Sequence, residues 1–250
     1  ITEYLNGTTA QKCAKIYGVS HQTVFNIFKR RNIQIRTNSE SKIKYNKNSN
    51  YFENIDSEDK AYFLGLLVSD GSNYEKGFKI SLQEQDGYIL EKFKNYLNYT
   101  GKLYFYKSKN IKHKNKVILA IHDSKIAQDL SKWGVVPRKS FKTYFPPISE
   151  ELWHHFIRGV FDGDGSIYIN KNSKSVTIIG YIHFMKELQK ILMEKCNLNK
   201  VILYNPKTHK KDTVLFTYGG NKQVKRIYDY LYKDATIYLT RKYEKFHINT

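Results

Sequence analysis

The chain has 250 residues and 42 Lys and Arg against 23 Asp and Glu, a formal net charge of +19 that is spread along its length and attracts phosphate polymers. That length gives one or two domains with an ample core; no apolar run nears the ~20 residues of a membrane span, and no secretory signal is visible. Cys13 and Cys196 stand far apart in no metal-spaced cluster, which excludes a cysteine-rich scaffold and points to free thiols in a reducing compartment.

Because the chain opens on Ile1, a short stretch is expected to precede it. Residues 1–36 read as a small helical unit. An amphipathic helix over 9–17 is followed by the turn Gly18-Val19-Ser20, in which Ser20 can cap a second helix from His21 to Arg31. Val24, Ile27 and Phe28 face inward on it, and Ala14, Gly18, Val19, Val24 and Ile27 sit where a helix-turn-helix buries its side chains and needs its glycine. On that pattern His21, Gln22, Thr23 and Asn26 would face a DNA major groove, with Lys29, Arg30 and Arg31 near phosphates. A plain helical hairpin with a basic surface is the alternative. Residues 37–50 are rich in Asn, Ser and Lys and read as a basic linker.

From residue 51 the chain repeats itself. Residues 63–71 (Phe63-Leu64-Gly65-Leu66-Leu67-Val68-Ser69-Asp70-Gly71) match residues 157–165 (Ile157-Arg158-Gly159-Val160-Phe161-Asp162-Gly163-Asp164-Gly165). Each is an apolar helix with small residues four apart, Gly65 and Ser69 or Gly159 and Gly163, and such spacing lets two helix backbones approach closely. The Gly after each acid suits a helix end turning through positive φ. If the helices pack side by side, Asp70 and Asp164 meet at one end, and two carboxylates held together in a basic chain call for a cation. After the first motif, Phe78, Ile80 and Leu82 alternate with Lys79, Ser81 and Gln83, a strand with one polar face. A helix follows on the stripe Ile89, Leu90, Phe93 and Leu97. Next come strands with Leu103 and Phe105, then Val117, Leu119 and Ile121, facing inward, and a helix ending at Trp133-Gly134. The second copy gives a strand 175–180, a helix 182–195, strands 200–204 and 213–218, and a helix 222–232. Pro146-Pro147 marks the boundary, so the expected divisions are 1–36, 37–50, 51–147 and 148–250.

Over residues 51–247 the chain resembles the LAGLIDADG homing endonucleases, in the form where one chain carries two motifs. Gly134-Val135-Val136-Pro137-Arg138-Lys139-Ser140 and Tyr238-Leu239-Thr240-Arg241-Lys242-Tyr243 also look like that family's repeat endings. The resemblance implies an α+β fold: two tandem αββαββα repeats forming a pseudo-twofold saddle of antiparallel sheets, each four-stranded and curved over DNA, after a small all-α unit. It implies a site-specific endodeoxyribonuclease that cuts both strands and leaves 3′ overhangs, with Asp70 and Asp164 as divalent-metal ligands. Mg²⁺ is the expected cofactor, with Mn²⁺ or Ca²⁺ able to occupy the same sites, because hard oxygen donors suit it and DNA can complete the shell. Backbone carbonyls of Ser69 and Gly163 would help. Val68 stands where the family's earlier acid falls, while the second motif keeps Asp162. Arg158 is expected to point off the helix interface. Lys139 and Lys242 are candidate catalytic helpers, with DNA-facing charge as the ordinary alternative. Lys79, Ser81 and Gln83 in the first copy, and Ser175, Thr177 and Tyr218 in the second, would read base edges. His122 could reach a phosphate or be a surface histidine, and no chemical role is expected of His154 and His155.

The expected partner is double-stranded DNA with an asymmetric target, the expected state a monomer, and the expected location the cytoplasm of a bacterial or phage-infected cell, or an organelle. A codon bias toward Lys, Asn and Tyr explains part of the charge but not the scarcity of acids. Among the rivals, a non-cleaving DNA- or RNA-binding protein of the same fold (a transcription regulator or intron maturase) is nearest, and the presence of both Asp70 and Asp164 argues against it. An intein lacks a nucleophile at Ile1, and a plain helix-turn-helix repressor leaves the duplicated acidic helices unexplained.

Overall fold

The computed structural model describes residues 1–5, 8–36, 45–110, 113–137, 144–171, 173–206 and 212–248. They divide into two compact units, 1–46 and 47–250.

In the N-terminal unit, α1 (Thr2–Leu5) precedes α2 (Ala10–Ile16) and α3 (His21–Arg30). The side chains of Thr9 and Ser20 each accept a backbone N–H three residues on, the expected N-cap geometry. Gly18, at φ +63°, makes the turn a β-carbon would strain. The core is Tyr4, Ala10, Cys13, Ala14, Val24 and Phe28. Val19, in the turn, and Ile27, on α3, expected inside, are 39% and 40% exposed, because three short helices have too little surface to cover every apolar side chain. Tyr4, which the sequence pattern left out, takes one of those places. Its ring lies under the Arg36 guanidinium at 4.1 Å, and its hydroxyl accepts the Arg36 N–H at 2.7 Å.

The larger unit is mixed α+β with antiparallel sheets. Its first half runs α4 (Glu58–Asp70), β1 (Gly71–Asn73), β2 (Gly77–Gln83), α5 (Gly87–Tyr96), β3 (Tyr104–Tyr106), β4 (Lys116–His122) and α6 (Ser124–Lys132). The sheet order is β1-β2-β4-β3, and Ile80 pairs with both Gly71 and Leu119. Phe78, Ile80 and Leu82 face the core with Val117, Leu119 and Ile121, and Phe63 of α4 stacks on Phe93 of α5 at 4.1 Å. Phe105, expected inward, is 69% exposed. It pairs with Val117 from the sheet's outer strand, beyond the reach of the covering helices.

The second half runs α7 (Trp153–Asp164), β5 (Gly165–Asn170), β6 (Ser173–Tyr181), α8 (Ile182–Cys196), β7 (Thr213–Gly219), α9 (Asn221–Leu231) and α10 (Thr240–His247). Its sheet is β5-β6-β7. The strand expected at 200–204 supplies only one bridge, Tyr204 to Leu215, among the described residues. Pro206, two residues on, has no N–H to extend a ladder. No helix of the described residues is long and apolar enough to cross a membrane.

Candidate active site

The site is built on α4 and α7. Residues Ala61 to Val68 are buried around the whole circumference of α4, which places that helix at the centre of its unit. Its contact with α7 is backbone on backbone. A Cβ on Gly65 would stand 2.0 Å from the Phe156 carbonyl oxygen, and one on Gly159 would stand 2.0 Å from that of Tyr62. These reciprocal contacts explain why both positions are glycine. At the C-terminal ends, a Cβ on Gly163 would lie 1.8 Å from Ser69 Oγ and 3.0 Å from Asp70 Oδ2. The Asp70 carboxylate therefore reaches across the helix pair to the residue before Asp164.

Asp70 and Asp164 are both exposed, each the last residue of its helix. Two carboxylates join two helix C-termini, each carrying about half a negative charge. Negative potential is thus concentrated at one point of a chain with net charge +19. Gly71 and Gly165 adopt φ −81° and −86°, ordinary extended backbone rather than the expected positive φ. Glycine is needed there because a Cβ on Gly71 would fall 2.6 Å from the Leu67 carbonyl oxygen, and one on Gly165 would fall 2.5 Å from that of Phe161. The Ser69 hydroxyl donates back to its own helix, 3.0 Å from the Leu66 carbonyl.

Lys242 lies at the end of α7. It is 5% exposed, and its Nζ donates to the carbonyls of Phe161 (2.6 Å), Gly165 (2.5 Å) and Gly163 (3.4 Å). An ammonium has three donors, so all are engaged by carbonyls on either side of the α7–β5 junction. Burial pulls its pKa down to about 8 against the attraction of Asp162. The Gly163 carbonyl, a candidate metal ligand, is turned to this ammonium instead. Lys139 lies outside the described residues.

Asp162 is buried, and its Oδ2 accepts from the Tyr62 hydroxyl at 2.7 Å and the Leu239 N–H at 2.8 Å. Burial raises its carboxyl to about 6, with Lys242 opposing. Arg158, expected to point off the helix interface, is fully buried. Its guanidinium donates to Glu58 Oε1 (2.6 Å), the carbonyls of Ile237 (2.8 Å) and Leu231 (2.8 Å), and His155 Nδ1 (2.9 Å). The face of α7 that carries Arg158 is covered by chain at Leu231 and Ile237, so no solvent is left there for an arginine.

On the outward face of the first sheet stand Lys79, exposed, and Ser81 and Gln83, half-buried. Gln83 Oε1 accepts from Lys114 Nζ at 3.1 Å. Tyr104 and Tyr106 share this face, paired with Ile118 and Lys116; pattern reading missed them because three successive aromatics show no alternation. On the second sheet Ser175 and Thr177 face outward, but Tyr218 is fully buried. Val214, Phe216 and Tyr218 form the core-facing row of β7, so Thr217 takes the outward place, its hydroxyl 2.7 Å from that of Thr177. Tyr168, 68% exposed and paired with Ser175, joins them. In the N-terminal unit His21, Gln22, Thr23, Asn26, Lys29 and Arg30 are all exposed along α3. Cys13 and Cys196 are buried free thiols.

No protein-family model matches this chain. It is 34% identical over 156 residues, 60% of its length, to an uncharacterized protein of Methanocaldococcus jannaschii, and the match spans 56% of that relative. Among solved structures it resembles the meganuclease I-SmaMI bound to uncleavable DNA with a TTCT central four, at TM-score 0.53 and 11% identity, over 76% of this chain and 89% of that one. It also resembles a mutant of I-SmaMI at TM-score 0.52 and 13% identity, over 75% and 89% of the two chains. A third is the I-SmaMI LAGLIDADG homing endonuclease bound to cleaved DNA, at TM-score 0.50 and 14% identity, over 78% and 87%. Identities this low speak of architecture alone, and that architecture, mixed α+β with two antiparallel sheets, is the fold of the LAGLIDADG homing endonucleases.

Proposed function

We propose that the protein is a site-specific, homing-type DNA endonuclease that hydrolyses a phosphodiester in each strand with a divalent cation, Mg²⁺ first, held by Asp70 and Asp164. The observation that carries this reading is the Asp70 carboxylate lying across the helix pair against Gly163, with Asp164 next in the chain. The donor set fits a hard cation. Among the described residues no cluster of three or more His, Cys, Asp and Glu forms. Two carboxylates therefore leave the remaining coordination positions to water and phosphate oxygens, the arrangement Mg²⁺ accepts. A cation there supplies charge screening of the phosphate, a more acidic water and stabilisation of the departing oxygen.

The chain's own residues do the rest. Asp70 and Asp164 hold the cation at the helix ends. Lys79, Ser81, Gln83, Tyr104 and Tyr106 on one sheet, and Tyr168, Ser175, Thr177 and Thr217 on the other, present donors, acceptors and rings to base edges. These two sets differ, so the target is asymmetric, and cleavage leaves 3′ overhangs as in the endonucleases the chain resembles. Exposed Lys and Arg supply affinity through phosphates. The exposed row His21, Gln22, Thr23, Asn26, Lys29 and Arg30 on α3 would bind a neighbouring stretch of the same duplex. One chain carries both motifs and acts as a monomer, in whichever compartment holds its DNA.

Selection from a randomised duplex library provides the substrate for a test. Asp70→Asn and Asp164→Asn should each abolish double-strand cleavage and leave binding within about threefold. Wild-type cleavage by the double variant would remove the metal mechanism. A wild-type chain that binds its selected duplex with Mg²⁺ and never cuts it would favour the non-cleaving rival. A perfectly palindromic preferred site would count against two unlike reading halves.

A further inference from the structure

We infer that the first half of the nuclease unit positions the acid of the second: Glu58, Asp86 and Tyr88 clasp the segment 236–242, and that segment holds the end of α7 from which Asp164 projects. The inference deepens the nuclease reading and rests on it for its catalytic consequence. Its structural part stands alone.

Three grips run from the first half to this segment. Glu58, in the first turn of α4, accepts the Thr236 N–H at 2.7 Å, the Thr236 hydroxyl at 2.8 Å and the Ile237 N–H at 3.2 Å. The Tyr88 hydroxyl accepts the Thr240 N–H at 2.6 Å and lies 3.2 Å from the Tyr238 carbonyl. Asp86, 2% exposed, takes Arg241 in a fork, with Nε 3.0 Å from both carboxylate oxygens and an Nη2–Oδ2 contact of 2.9 Å. Charge-assisted forks fix orientation as well as distance. Between the grips, Ile237 and Leu239 are each 1% exposed.

The next residue after Arg241 is Lys242, whose ammonium gathers the carbonyls of Phe161, Gly163 and Gly165. Helix ends leave carbonyls without intrahelical partners and fray readily. Here one side chain ties residues on both sides of Asp164 to a single point. Asp86 thus acts on Asp164 through Arg241 and Lys242 without touching it, as a positioning residue. The whole chain of contacts crosses from α5 of one half to α7 of the other, so the two halves are coupled at the place where the two acids must stay in register.

The test uses the full chain with Asp86→Ala, Arg241→Ala and Asp86→Glu. Hydrogen exchange is followed in peptides covering 161–166 and 236–242, alongside DNA affinity and single-turnover cleavage of the library-selected duplex. Both alanine variants should exchange faster in both peptides. Both should cleave roughly 10- to 100-fold more slowly, with affinity within about threefold, the signature of misplaced rather than unbound groups. Asp86→Glu should recover most of the rate. Arg241 is partly exposed, so its truncation reports on the clasp even if Asp86→Ala folds poorly. Unchanged exchange at 161–166 in both alanine variants, or loss of affinity in proportion to rate, would overturn the clasp. If the wild type cuts no duplex, the nuclease reading falls, and the exchange result still decides whether the clasp holds α7.

Discussion

A glycine that meets a backbone oxygen cannot be replaced by turning a side chain aside. Gly65 and Gly159 each face a carbonyl oxygen 2.0 Å from where a Cβ would sit, so alanine at either position must push α4 and α7 apart. We expect a loss of about 3 kcal/mol or more in urea unfolding. Gly163→Ala meets not only the Ser69 hydroxyl but Ser69 Cβ at 2.4 Å, which no rotamer moves, so it too must spread the helix ends, at about 1–3 kcal/mol. The same methyl displaces the Asp70 carboxylate, so cleavage should fall further than stability does. His155 offers a pH test away from the acids. Desolvation and the adjacent Arg158 push it down to about 4, with His154 adding repulsion and Glu58 and Asp234 opposing. Between about 6.5 and 4 the unfolded chain binds a proton that the native chain refuses. Stability is therefore present at neutral pH and lost as pH falls through that window, at a slope of at most about 1.4 kcal/mol per pH unit. Subtracting the His155→Gln profile from that of the wild type should isolate this slope, and identical profiles would remove the assignment.

At the scale of elements, α7 differs from α4 in carrying a polar seam. Arg158 and Asp162 bind the chain from 231 to 239, whereas the matching positions of α4 are Leu64 and Val68. Arg158→Met would leave the Glu58 carboxylate and two carbonyls without their buried donor. Uncompensated burial of that kind costs about 3–5 kcal/mol, measurable as a lowered urea midpoint with an unchanged m-value. This seam was illegible in the sequence for a definite reason. Periodicity says which side of a helix is apolar, but not what segment covers its back, and here the cover comes from residues some seventy positions later. Tyr218 failed for a different reason. In Thr213–Gly219 the residues Val214, Phe216 and Tyr218 share one parity, so alternation already places Tyr218 in the core-facing row, and reading its hydroxyl as a groove-facing donor overrode that parity. Where parity was clean, as in Phe78, Ile80 and Leu82, pattern and structure agree.

Across the whole molecule, charge sets the behaviour. A chain of net charge +19 that tracks a duplex should lose affinity linearly in log–log salt plots, about 0.9 per phosphate neutralised. Removing residues 1–36, which have a core of their own, should weaken target affinity and reduce that slope while leaving the cleavage rate of bound DNA nearly unchanged. Unaltered affinity and slope would leave the N-terminal unit without a role in binding. The sequence by itself determined the duplicated motif helices, the small residues that permit their close approach, and the placement of Asp70 and Asp164 at the ends of those helices, because small-residue spacing and helix length are local properties. Tertiary structure alone decided that Arg158 and Lys242 are buried and that segment 236–242 is gripped from the other half. Those facts depend on which distant surface arrives to exclude water, and no local pattern encodes that arrival.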